Sequence, residues 1–190
     1  MAFSDFEATD WTLGDEITAA LMDELEKRAM GARATCKVYR ANDVTGVADT
    51  VYLVDWGAEE WDNDSMWAAT GGVDSAVTIN QAGIYLINAT VATTGSASGN
   101  NTYLSIELNN DTGAFGDGTV LGFYNGTQDN ATPASVYNQV TAVANLSATD
   151  EIELLVMADA TWGIDANVYG DAGDGCWMSV TMIGRTPTAS

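Results

Sequence analysis

A chain of 190 residues without a single histidine has few routes to acid–base or nucleophilic chemistry. Lacking imidazole, it can build neither a Ser-His-Asp nor a Cys-His relay, and the usual catalytic zinc sets are missing. Its two cysteines, Cys36 and Cys176, have no candidate base. What it holds in quantity is carboxylate: 27 Asp and Glu stand against 6 Lys and Arg, a formal charge of -21. Paired carboxylates can hydrolyse glycosides, yet no pair is set in an apolar stretch, and no enzyme is expected.

Oxygen-rich loops are the next candidates. Asp165-Ala166-Asn167-Val168-Tyr169-Gly170 reads as D-x-N-x-x-G, the first half of a calcium loop. The twelfth position, where a bidentate Glu belongs, is Cys176, so the segment is not an EF-hand. Asp171 and Asp174 would complete an irregular cage, making Asp165, Asn167, Asp171 and Asp174 the metal candidates and calcium the ion. A solvated acidic loop is the alternative, as it is for Asp111 and Asp117 in their Gly-rich turn. Trp61, Trp67, Trp162 and Tyr169 lie in or beside loops with Asp and Asn nearby. Such aromatics suit sugar stacking, the capping of open sandwich ends, or a subunit interface.

The basic residues are Lys27, Arg28, Arg33, Lys37, Arg40 and Arg185, so nothing basic lies between positions 41 and 184. A body with so few cations cannot neutralise phosphates, which excludes nucleic acid as a partner. It also repels anionic membranes, and no apolar run is long enough for a membrane span. The acidity favours solubility through self-repulsion and suits a saline setting.

The elements that must position these residues are strands. Alternation of apolar and polar positions, with turn residues between, marks strands near 34–40, 50–55, 77–79, 84–91, 101–109, 119–124, 135–146, 151–158 and 176–183. Val77 to Ile79 and Ile84 to Val91 read as two runs facing each other across Asn80-Gln81-Ala82-Gly83. Tyr103, Ser105 and Glu107 alternate with Leu104, Ile106 and Leu108, as on a half-buried strand. The segments 57–72 and 159–175 read as loops. No helical pattern follows Ala32. Before it, Ile17, Leu21 and Leu25 form one apolar stripe of a helix over about 15–31, with acids leading and Lys27, Arg28 and Arg33 closing. Residues 1–33 therefore read as an anchor, 34–185 as an all-β head and 186–190 as a tail. Phe3, Phe6 and Trp11 join Ile17, Leu21 and Leu25 as anchor contacts for a partner. An Ig-like sandwich is the runner-up topology; it lacks the paired inter-sheet cysteines.

The head resembles the C1q/TNF type of jelly roll. The resemblance rests on Asn63, Asp64 and Trp67 in a polar loop, Val77 and Ile79, then Gly83-Ile84-Tyr85-Leu86-Ile87, and the closing strand Cys176 to Gly184. It covers about Ala34 to Arg185; the family usually carries Phe where this chain has Ile87. It implies that the first and last strands are neighbours. Cys36 and Cys176 then form either a cross-strand disulfide or two buried free thiols, the latter favoured for a protein made in cytoplasm. It implies a homotrimer with one flank around a three-fold axis, for which Tyr85, Tyr103, Tyr124, Tyr137 and Trp177 are the interface candidates. Calcium is common in such heads, although its ligands do not map onto this sequence.

The N-terminal phrase Trp11-Thr12-Leu13-Gly14-Asp15-Glu16-Ile17-Thr18-Ala19, with Leu25-Glu26, resembles the start of tailed-phage fibre and appendage proteins. That resemblance implies a structural virion protein, made in the host cytoplasm and placed on the virion surface. It would decorate the capsid or form a short fibre, bound to a capsid or tail protein through its N-terminus. The alternative is a C1q-like lectin or adhesin that recognises host-surface glycan.

Overall fold

Alternating side chains do form strands, and nearly all of them close over one core. The structure, a computed structural model, describes residues 34–68, 75–94, 101–110, 112–127, 135–166 and 173–184. The chain divides into two units, Met1–Ala32 and Arg33–Ser190, and the described residues belong to the second. The helix expected over 15–31, with Phe3, Phe6, Trp11, Ile17, Leu21 and Leu25, lies outside the described residues.

Among the described residues the strands are β1 (Thr35–Tyr39), β2 (Val44–Gly46), β3 (Tyr52–Leu53), β4 (Ala58–Asp62), β5 (Val77–Thr78) and β6 (Gly83–Thr94). They continue with β7 (Asn101–Leu108), β8 (Thr119–Thr127), β9 (Val136–Leu146), β10 (Glu151–Ala158), β11 (Trp162–Ile164) and β12 (Cys176–Gly184). The first sheet runs β2-β11-β6-β12-β1-β4, with β9 along the other edge of β6. The second runs β3-β10-β7-β8, with β5 also on β10. All pairings are antiparallel. No helix among the described residues is long and apolar enough to cross a membrane.

The core lies between the sheets. Cys36, Val38, Ile87, Val91, Met178 and Val180 enter it from the first sheet, and Leu104, Ile106, Leu154 and Val156 from the second. Complete burial of an aliphatic side chain contributes about 1.5–3 kcal/mol, so these alternating positions drive the closure. Trp56 is fully buried too, its indole N–H donating to the Ser75 carbonyl at 3.0 Å.

Three strands were not anticipated: β2, and β4 and β11 inside the segments read as loops. Each is at most five residues long and contains Gly, Glu or Asp, which blur the alternation. One expected pairing is also corrected. β5 does not face β6 across the Asn80-Gln81 turn. It pairs with β10 in the second sheet, Val77 opposite Ile152, while β6 runs in the first sheet. Alternation reveals which residues point inward, but both sheets point inward to the same core. The turn passes the chain between sheets and pins the acidic loop: Asn80 Nδ2 donates to the carbonyls of Asp64 and Ser65 at 2.6 and 3.0 Å.

The outer face of β7 is the second correction. Ser105 and Glu107 are buried, not solvated. Glu107 lies directly opposite Glu153 on β10, which is also buried. Facing like charges destabilise a sheet, and here donors from the following turn offset them. Glu107 accepts from Ser105 Oγ at 2.8 Å, from Asn110 Nδ2 at 2.6 Å and from the Gly116 N–H at 2.9 Å. The Asn110 N–H donates to Glu153 at 2.8 Å. Gly113 and Gly116 adopt φ of 72° and 82°, which lets the turn fold back over the sheet.

This cluster yields a prediction. Glu107→Ala takes the acceptor from buried Ser105 Oγ, from one N–H of Asn110 Nδ2 and from the Gly116 N–H, so the chain should lose about 1–3 kcal/mol, read as a lower urea midpoint. Glu107→Gln keeps an acceptor and should lose less. Equal stability of Glu107→Ala and the parent chain would contradict the role given to the cluster.

Candidate functional site

The strands β1, β6, β9 and β12 form the middle and one edge of the first sheet, and none contains Asp or Glu. Their inward residues fill the core, so the register fixes what the outward face carries. One row across it reads Val143, Leu86, Thr181, Thr35. The next reads Thr141, Asn88, Ser179, Lys37, Trp61, and the third Gln139, Thr90, Trp177, Tyr39. The rows are tied by side chains: Thr141 Oγ1 donates to Asn88 Oδ1 at 3.0 Å, Gln139 Nε2 to Thr90 Oγ1 at 3.3 Å, and the Thr35 and Thr181 hydroxyls lie 2.9 Å apart. Val143 and Ile183 are exposed on this side. In a chain of charge -21, the four strands of this broad strip contribute no carboxylate, and Glu60 of β4 reaches its edge only in a pair with Lys37.

Its one cation is confined. Lys37 Nζ lies 5.0 Å from the ring centroid of Trp61 and 5.3 Å from that of Trp177, and it pairs with Glu60. Each indole face attracts the ammonium by about 0.5–1 kcal/mol. Arg40, nearby in sequence, is held by the Asp55 carboxylate and carbonyl and lies over Tyr52, whose hydroxyl also donates to Asp55. Burial, followed by that hydrogen bond, pushes the Tyr52 phenol up.

The five interface candidates separate. Trp177 and Tyr137 share the acid-free side, and Tyr137 is exposed. Tyr103 lies on the outward side of the second sheet, its ring 6.3 Å from that of exposed Phe123, which also meets Phe115. Tyr124, opposite inward Leu104, packs against the core. Tyr85 is corrected: it is wholly enclosed in its own subunit, donating to the Gln81 carbonyl at 2.7 Å, and cannot face a partner. Sequence pattern missed the acid-free strip itself, although the absence of Asp and Glu from four strands is a signal visible in the chain.

Of the metal candidates, Asn167 and Asp171 lie outside the described residues. Asp165 accepts from Ser135 Oγ at 2.5 Å, and Asp174 precedes β12. Among the described residues no group of three His, Cys, Asp or Glu is placed to hold a metal ion. Asp117 accepts from Thr112 Oγ1 within its turn; Asp111 is outside the described residues. Trp162 is buried, packed over Gly46 and edge-on to Tyr52, with its N–H donating to the Val47 carbonyl at 3.2 Å. It offers no face for sugar stacking.

The cysteines are separate buried thiols. Cys36 lies opposite Val180, four residues along β12 from Cys176. At about 3.4 Å per residue that offset puts them well beyond disulfide reach. Burial pushes both thiols up to about 12, helped at Cys36 by Asp62 and Glu59. Burial, then Asp64, does the same to the Tyr85 phenol.

These shifts set a pH dependence. Between about 9 and 12 the folded thiols keep protons that unfolded thiols release, so the unfolded state binds fewer protons and stability falls as pH rises. Urea midpoints should hold from roughly pH 7 to 9 and decline above. The decline should be shallower in Cys36→Ala/Cys176→Ala. An equal slope in both proteins would contradict the assignment.

No protein-family model matches the chain, and no curated protein sequence matches it. Solved structures do. A TNF-type Eiger protein from S. frugiperda aligns with TM-score 0.53 and 14% identity, covering 83% of this chain and 97% of its own. Murine APRIL aligns with TM-score 0.54 and 15% identity, covering 80% and 99%. The globular domain of zebrafish complement 1qA aligns with TM-score 0.51 and 13% identity, covering 80% and 99%. At these identities the likeness is one of fold: two antiparallel sheets closed as a TNF/C1q-type jelly roll.

Proposed function

We propose that this chain is a structural protein of a tailed virus particle, a homotrimeric jelly-roll head that faces solvent from the virion surface. Its N-terminal segment would hold it to a capsid or tail protein, as capsid decoration or a short fibre. The observation that carries the self-association is the acid-free side of the first sheet. Copies of charge -21 repel wherever carboxylates meet; the four strands of this strip contribute none, and Glu60 at its edge is paired with Lys37. It also presents Trp177, Tyr137, Leu86 and Val143, apolar surface that contributes about 25 cal/mol per Å2 when covered. Rim carboxylates are screened beyond about 8 Å at physiological salt, so salt should favour assembly. Three-fold closure follows the C1q/TNF resemblance: rotation joins two different patches of each copy and leaves none open. The virion placement rests on the N-terminal phrase from Trp11 to Ala19.

Two outcomes are expected. Light scattering at high salt should give about three times the chain mass of 20.0 kDa. Val143→Asp, which puts a carboxylate on the strip, should raise the concentration needed for assembly on the order of tenfold or more. A 20.0 kDa species at micromolar protein in high salt would overturn the trimer. Separately, Leu21→Asp should leave the head folded and abolish incorporation into particles. Normal incorporation would remove the N-terminal segment as the attachment device.

A further inference from the structure

A second surface lies where the first sheet branches. At the end of β6, beyond the last pair with β12, β11 takes over as neighbour and carries β2 on its far side. Gly163 is paired with Thr45 on one side and Thr94 on the other. The three form an outward row with glycine in the middle. Alternation puts Asp43 on the same side as Thr45, and Thr161 and Asp165 on the same side as Gly163. Val44, Trp162 and Ile164 point the other way, toward the core. The outward groups line an open cleft of about 430 Å3, within the size range of small-ligand sites.

The glycine makes the floor. A Cβ at position 163 would stand 2.9 Å from the Val44 carbonyl oxygen and 3.0 Å from Thr94 Oγ1, so any other residue would fill the notch between the threonines. The carboxylates at one end are oriented. Asp43 Oδ1 accepts from the Ala166 N–H at 2.9 Å, and Asp165 Oδ2 from Ser135 Oγ at 2.5 Å. Among the described residues no Lys or Arg lines the cleft, so they offer an anion no partner. Carboxylates accept hydrogen bonds, and threonine hydroxyls both donate and accept. Several hydroxyl groups on a compact frame satisfy this set, both donating to the carboxylates and exchanging hydrogen bonds with the threonines.

We propose that the cleft between β2, β11 and the end of β6 binds a neutral saccharide unit. Sugar hydroxyls donate to Asp43 and Asp165 and exchange hydrogen bonds with Thr45, Thr94 and Thr161, while the ring lies over the Gly163 backbone. Trp162 supports the floor from beneath and takes no part in stacking. This site continues the outward face of β6 beyond the acid-free strip, and its ligand set comes from a single copy of the chain.

The test uses the full chain on an array of neutral, amino and sialylated glycans, in calcium and in EDTA. It is followed by titration with the methyl glycoside of the retained class. Thr45→Val/Thr94→Val removes two hydroxyls from strand positions and keeps their shape; Asp43→Asn keeps the acceptor for Ala166 and removes the charge. The proposal expects retention of neutral glycans in both buffers and an affinity at least tenfold lower in each variant, with unchanged circular dichroism. It is overturned if no neutral glycan is retained, if both variants bind like the parent chain, or if EDTA abolishes binding. Retention of amino sugars alone would mark a cation-attracting acidic surface and would overturn it as well.

Discussion

Like-charge repulsion is the constraint on which the rest of this structure depends. With 27 acidic residues and 6 basic ones, almost any surface of the chain repels a second copy and each carboxylate burdens its neighbours. The fold answers by segregation. Acids gather on β4, in the loops and on the second sheet, while β1, β6, β9 and β12 hold none. A side whose four strands carry no acid is where a second copy would meet the least repulsion. The confined Lys37, between two indoles and beside Glu60, adds no free positive charge to that strip.

The buried acids of β7 and β10 are matched by donors. Glu107 and Glu153 face each other across β7 and β10, and the turn carrying Asn110 and Gly116 supplies N–H groups to both. The same logic recurs in the acidic loop, where Asp62 accepts from the Trp67 N–H at 2.8 Å and Asn80 ties down two carbonyls. These loops owe their form to carboxylates and amides of the chain itself. That is why a count of acids alone says little about metal binding here.

The all-β class was legible in the sequence because one-sided burial writes alternation into a strand, as at β1, β9 and β12, while the jelly-roll type came from the resemblance at Gly83 to Ile87 and Cys176 to Gly184. It was less legible where strands are short or carry polar residues. β2 and β11 are three residues each, and only the pairing of β11 with the end of β6, and of β2 with β11, makes them sheet. The pairing of β5 with β10 was hidden because inward residues of both sheets look alike. The polar side of β7 was misread because its cover comes from a later turn, a tertiary contact that no local pattern encodes. Among the candidate site residues, type was informative and position was not. Tyr85 and Trp162 are aromatics that could serve an interface or a sugar, yet both are enclosed within their own subunit. The cleft around Gly163 had no sequence signal beyond a glycine between threonine-bearing strands, since Thr45, Thr94 and Gly163 meet only through the register.

Hydroxyl-radical footprinting across a protein dilution series in high salt probes the proposed self-contact side chain by side chain. Trp177 and Tyr137 lie on the acid-free side of the first sheet, and Tyr103 lies on the outward side of the second. If copies meet through the strip, labelling of Trp177 and Tyr137 falls as concentration rises and labelling of Tyr103 stays constant. Unchanged labelling of Trp177 and Tyr137 across the series, or protection confined to Tyr103, would contradict it.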